Sequence, residues 1–221
     1  MLKLALLSTW LFLAIPSLPL LAAENTMTQL HKAAAAGDTA AIRTLLAEGA
    51  DIEARDASGA TALLVATHAN KVEAARALIE AGANVNAKDD IQDSPYLYAG
   101  ARGHLDILKL TLAHGADLAS INRYGGTSLI PASERGLVET VDTLIKAGVA
   151  VDHVNRLGWT ALLEAIILGD GGKRHQEIVG LLIAAGANVN LADNEGVTPL
   201  RHARDRGFDE IAALLEKAGA K

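Results

Sequence analysis

The sequence predicts an all-α solenoid of about six stacked helix-turn-helix units, and three observations carry that prediction. Gly49, Gly82, Gly115 and Gly148 follow one another at steps of 33 residues; Gly186 comes 38 further on, and Gly219 returns to 33. Thr28, Thr61, Ser94, Thr127, Thr160 and Thr198 keep the same rhythm, with the same single step of 38. Within a unit, apolar side chains recur at helical spacing. Two independent ladders that share one irregular step define a real period, in which one unit carries a five-residue insertion. Units of this length cannot bury an apolar face alone and do so by stacking on one another.

The first 23 residues differ in kind. Lys3 supplies a positive start, residues 4–15 are mostly apolar, Pro16 and Pro19 break the run, and Ala22 and Ala23 offer small residues before Glu24. This is the pattern of a secretory signal peptide. Cleavage near Ala23 leaves 198 residues in the periplasm or outside the cell. An uncleaved membrane anchor is the alternative. Two prolines within any span of about 20 residues, and no strong positive charge after it, argue against that.

The chain has no cysteine, which excludes both disulfide staples and a lipidated N-terminal cysteine. With half its residues hydrophobic, a continuous repeat core supplies the stability instead. Loss of Lys3 with the leader leaves 19 basic against 26 acidic residues, a formal charge of −7. That balance argues against nucleic acid as a partner and gives no attraction to an anionic membrane, so no membrane insertion is expected after cleavage.

The last unit shows how each element arises. Gly196 suits a tight turn that needs positive φ. Thr198 caps the first helix, and Pro199 fits the first helical position, where its missing N–H would be unpaired anyway. Ala203 is small enough for neighbouring helices to approach closely, and Gly207 ends that helix. Ile211, Leu214 and Leu215 form the apolar stripe of the second helix, and Gly219 sits at a left-handed C-cap.

These residues resemble the ankyrin repeat. Its T-P-L-H-x-A-A opening is approached by Thr28-Gln29-Leu30-His31-Lys32-Ala33-Ala34, Thr61-Ala62-Leu63, Ser94-Pro95-Tyr96 and Thr160-Ala161-Leu162. Its L-L-x-x-G-A ending is approached by Leu45-Leu46-Ala47-Glu48-Gly49-Ala50 and Leu78-Ile79-Glu80-Ala81-Gly82-Ala83, and with one extra apolar residue by the stretch from Leu181 to Ala187. The resemblance implies a curved solenoid with β-hairpin fingers between helix pairs. After the leader, the units run over residues 24–54, 55–87, 88–120, 121–153, 154–191 and 192–221. The alanine-rich start and the polar last helix, with Glu216, Lys217 and Lys221, suit capping units. The segments 122–127 and 157–165 are similar to a subgroup of bacterial ankyrin-repeat proteins.

In that family, partners meet the finger tips and the first helices. Mapped by repeat phase, units three to five carry the richest side chains there. Five aromatic residues remain after the leader, and Tyr96, Tyr98, Tyr124 and Trp159 lie in those units. Tyr96 takes a leucine position and reads as core. Aromatic and arginine side chains anchor interfaces because they bury large areas and keep a polar handle. The expected partner-binding patch is therefore Tyr98, Arg102, Arg123, Tyr124, Glu134, Arg135, Arg156 and Trp159. Packing of the finger aromatics on the next finger is the alternative.

The five-residue insertion falls within residues 169–176, a segment with three glycines and charged neighbours that reads as an exposed, mobile loop between the helices of unit five. Gly171-Gly172-Lys173-Arg174 lacks the spacing and preceding strand of a phosphate loop. Glu164 stands out on the first helix of unit five, where it reads as solvated or ion-paired, within reach of Arg123 or Arg156. The histidines are scattered without a metal-binding pair, and no nucleophile sits in a catalytic arrangement. No enzyme activity, cofactor or metal is expected. The leading reading is an exported protein-interaction scaffold that binds a folded partner through its concave face. The alternatives are a module for a small anion or saccharide, and an immunity-like or antitoxin-like inhibitor of an exported enzyme.

Overall fold

The computed structural model describes residues 28–221; the expected leader lies outside them. Among the described residues twelve helices alternate in two rows. The first row comprises α1 (28–36), α3 (Ala62–His68), α5 (Pro95–Arg102), α7 (Leu129–Glu134), α9 (Ala161–Ile167) and α11 (Pro199–Asp205). The second comprises α2 (Thr39–Ala47), α4 (Val72–Glu80), α6 (Leu105–Ala113), α8 (Val138–Ala147), α10 (Lys173–Ala184) and α12 (Asp209–Lys217). From α3 on, each first-row helix contacts the next in its row, as each second-row helix from α2 does. One apolar core therefore runs from Leu30 to Leu215 without interruption. Among the described residues no helix is long and apolar enough to cross a membrane.

The threonine ladder is a ladder of caps. Thr61, Ser94, Thr160 and Thr198 each accept from the amide three residues on, an interaction that stabilises a helix start by about 1 kcal/mol. Thr127 departs from the pattern. Its neighbours in the ladder each accept, through the carbonyl, the amide four residues on, but in unit four that residue is Pro131, which has no N–H. The Thr127 carbonyl takes the Ile130 amide at 3.2 Å instead. Its hydroxyl is left buried without a partner, and α7 is six residues long.

The fingers form as tight turns rather than strands. Among the described residues the one bridge pairs Arg55 with Thr61. Each tip is instead folded around an acidic or amide side chain, at Asp56, Asp89, Asn122, Asn155 and Asp193. In every case its Oδ1 accepts from the amides two and four residues on. Gly125 shows why glycine follows: its φ is 76°, and a methyl there would meet Arg156 Cγ at 2.9 Å on the next finger. Finger three does without it and holds Gln92 at φ 67°.

The insertion is more ordered than its composition suggests. Lys173 to Gln176 are not loop but the first turn of α10, which reaches 12 residues. Asp170 accepts from Gly172 at 2.8 Å and pairs with His175 Nδ1 at 2.7 Å. His175 is buried, its Nε2 lies 3.0 Å from the Glu134 carbonyl, and Arg206 ties down the Gly169 carbonyl at 3.1 Å. A glycine-rich segment is held here from both sides, by His175 reaching back to the preceding unit and by Arg206 of the next.

Candidate functional site

Fingers four and five and helices α7 and α9 enclose a cavity of about 330 Å³. Asn122, Tyr124 and Ile130 form one side, Asn155, Leu157 and Leu168 the other, and Glu134 and Glu164 bring two carboxylates to it. A second cavity of about 130 Å³ adjoins it toward unit three, bounded by Asp93, Tyr98 and Arg102. Asn122, Arg123, Tyr124, Pro131, Glu134 and Arg135 line both, so the two form one groove.

Six of the eight patch residues expected from sequence line this groove: Tyr98, Arg102, Arg123, Tyr124, Glu134 and Arg135. Arg123 stacks over the Tyr124 ring, with Cζ 4.9 Å from its centroid, and lies 3.6 Å from Asp93. Arg102 lies 5.4 Å over the Tyr98 ring, which in turn packs between His68 and His104 at centroid distances of 4.2 and 6.0 Å. Burial holds both histidines below the ordinary imidazole value. The remaining two do not line the groove. Arg156 donates to the Arg123 carbonyl at 2.7 Å and so links one finger to the next. Trp159 is half-buried at the foot of finger five, its backbone closed onto Asn155.

Glu164 differs from its expected role. It is 5% exposed and meets neither Arg123 nor Arg156; Asn155 Nδ2 donates to its Oε1 at 2.8 Å. Burial, reinforced by the nearby Glu134 and opposed by the Asn155 amide, pushes its carboxyl up to about 7.

The profile described as Ankyrin repeats (3 copies) matches residues 9–89 and 132–221. The chain belongs to the ankyrin-repeat family. An ankyrin repeat domain of known structure from Acinetobacter baumannii is 67% identical, covering 87% of this chain and 98% of that one with a TM-score of 0.85. A second ankyrin-repeat protein of known structure is 40% identical over 86% of this chain and 98% of its own, with a TM-score of 0.83. The ankyrin repeat domain of Bcl-3, a member of the IkappaB family, is 26% identical over 87% and 86% of the two chains, with a TM-score of 0.78. The ankyrin repeat protein YahD of Escherichia coli K12 is 59% identical over 58 residues, which are 26% of this chain and 29% of YahD.

Ankyrin repeats indicate a scaffold for protein-protein interaction, and proteins built from them are generally non-catalytic. In this ankyrin-repeat protein the described residues contain no group of three or more His, Asp or Glu side chains placed to hold a metal ion. The residues that sequence reasoning passed over are Asn122 and Asn155. Their signal was available: Asp56, Asp89, Asn122, Asn155 and Asp193 follow the same steps of 33, 33, 33 and 38 as the glycines.

Proposed function

We propose that this protein is a non-catalytic interaction scaffold, exported to the periplasm after cleavage of its leader, that binds a folded partner along the groove of units three to five. The observation that carries the reading is where apolar surface is left uncovered. The large hydrophobic side chains exposed among the described residues are Ile91, Ile121, Tyr124, Val154, Leu157 and Leu168, all within units three to five. Three of them, Tyr124, Leu157 and Leu168, line the groove itself, and exposed apolar side chains beside arginines at a groove mark surfaces that something else covers. The charge balance of −7 supports a protein rather than a nucleic acid as that partner.

Expression with its own leader, followed by fractionation and N-terminal sequencing, tests the first half of the proposal. A periplasmic chain beginning at Glu24 is expected; a full-length chain in the membrane fraction overturns cleavage, and a chain confined to the cytoplasm overturns export. Cross-linking from Tyr124 and capture from the periplasmic fraction test the second half. The same folded protein should be retained by the wild type and lost by the Tyr124→Ala/Leu157→Ala double variant at unchanged melting temperature. Equal retention by both would remove the groove as the binding surface.

A further inference from the structure

The cavity between fingers four and five has a polarity that general groove binding does not explain. Its most buried polar side chain is Glu164, on which Oε1 is occupied by Asn155 while Oε2 has no hydrogen-bond partner among the described residues. Glu134 faces the same space, and neither carboxylate forms an ion pair with any described residue. Two cations also line the cavity: Arg123 is held by Asp93 and the Tyr124 ring, and Arg135 is exposed to solvent. Exposed charge is screened by salt far more than buried charge, so Glu164 weighs more than Arg135 on what enters. Ile130, Leu157 and Leu168 line the approach.

From this arrangement we infer that the cavity is a socket for one basic side chain of the partner protein, a lysine or arginine whose aliphatic stem lies against Leu157 and Leu168 and whose cationic head reaches Glu164 and Glu134. The inference rests on the groove being the partner-binding surface and adds the chemistry that selects the partner. Two carboxylates facing one space suit a guanidinium, which donates to both at once, or an ammonium between them. The apolar walls suit the methylene stem that both residues carry. About 330 Å³ accommodates such a side chain with its first waters. The same two carboxylates make an anion a poor occupant.

Isotope-labelled protein titrated at pH 8, where the Glu164 carboxylate is ionised, with N-acetyl-arginine methylamide tests the socket without knowledge of the partner. Saturable shifts are expected at the amides of residues 130–134 and 155–164, with the same pattern for the blocked lysine. Blocked citrulline, which keeps the shape and loses the charge, should bind at least about tenfold more weakly. The Glu134→Gln/Glu164→Gln variant should lose the shifts while keeping its fold. Equal binding of arginine and citrulline, or retention of binding by that variant, overturns the inference. Tighter binding of free putrescine than of either blocked residue also overturns it, in favour of a small-amine site. If the blocked residues do not bind while capture still depends on Tyr124 and Leu157, the socket fails and the groove stands. If capture too is indifferent to those residues, both fail.

Discussion

Asn155 donates its side-chain amide to Glu164 across 2.8 Å, in the same register in which Asp193 meets His202 at 2.7 Å one unit later. The first residue of each pair also folds its finger by accepting two backbone amides through Oδ1. The finger residue thus carries a second function, and its chemistry complements the helix residue nine positions on: a carboxylate faces an imidazole, and an amide donor faces a carboxylate. Asn rather than Asp at position 155 is what allows Glu164 to be buried.

Replacing Asn155 by Asp keeps the finger acceptor but sets a carboxylate against Glu164. The expected loss is about 2–4 kcal/mol at pH 8, read as a lower midpoint in urea unfolding, and it should shrink at pH 5, where one of the two acids binds a proton.

Glu164 itself should make stability depend on pH. Its folded value of about 7 lies above the ordinary 4.5, so the folded protein holds the proton more tightly than the unfolded chain does. Stability therefore falls as pH rises from 4.5 to about 7, and the full cost is present above that. Glu134 on α7 supports the shift, while Asn155 opposes it. Glu164→Gln keeps the acceptor for Asn155 and removes the charge. It should stabilise the protein by about 1–3 kcal/mol at pH 8 and by almost nothing at pH 4.5. A difference independent of pH between the two would contradict the assignment.

Gln92 occupies a left-handed position that Gly59, Gly125, Gly158 and Gly196 fill in the other described fingers. Gln92→Gly relieves that conformation and should raise stability by about 0.5–1 kcal/mol in thermal unfolding, despite the greater freedom it gives the unfolded chain.

Gly171 is the opposite case. Its φ is 69°, and an added methyl would collide with the Phe208 ring of the last unit. Gly171→Ala should lose about 1–3 kcal/mol, with hydrogen exchange accelerated first in α11 and α12, the helices of that unit.

What the sequence alone determined here is whatever repeats. The glycine and threonine ladders set the number of units and their phase, because each unit must meet its neighbours in the same way. Phase then placed Tyr98, Arg102, Arg123, Tyr124, Glu134 and Arg135 on one surface, since residues a whole period apart lie side by side in a stack. The tertiary structure decided the departures. Pro131 removes one amide and so strips Thr127 of its capping role, and His175 reaches the Glu134 carbonyl 41 residues away and turns half of an apparent loop into helix. The partner and protonation of Glu164 depend on which of Asn155, Arg123 and Arg156 its carboxylate reaches. The nine-residue spacing of finger and helix residue recurs along the chain, but only side-chain positions in the folded stack show that the carboxylate meets Asn155 and neither arginine.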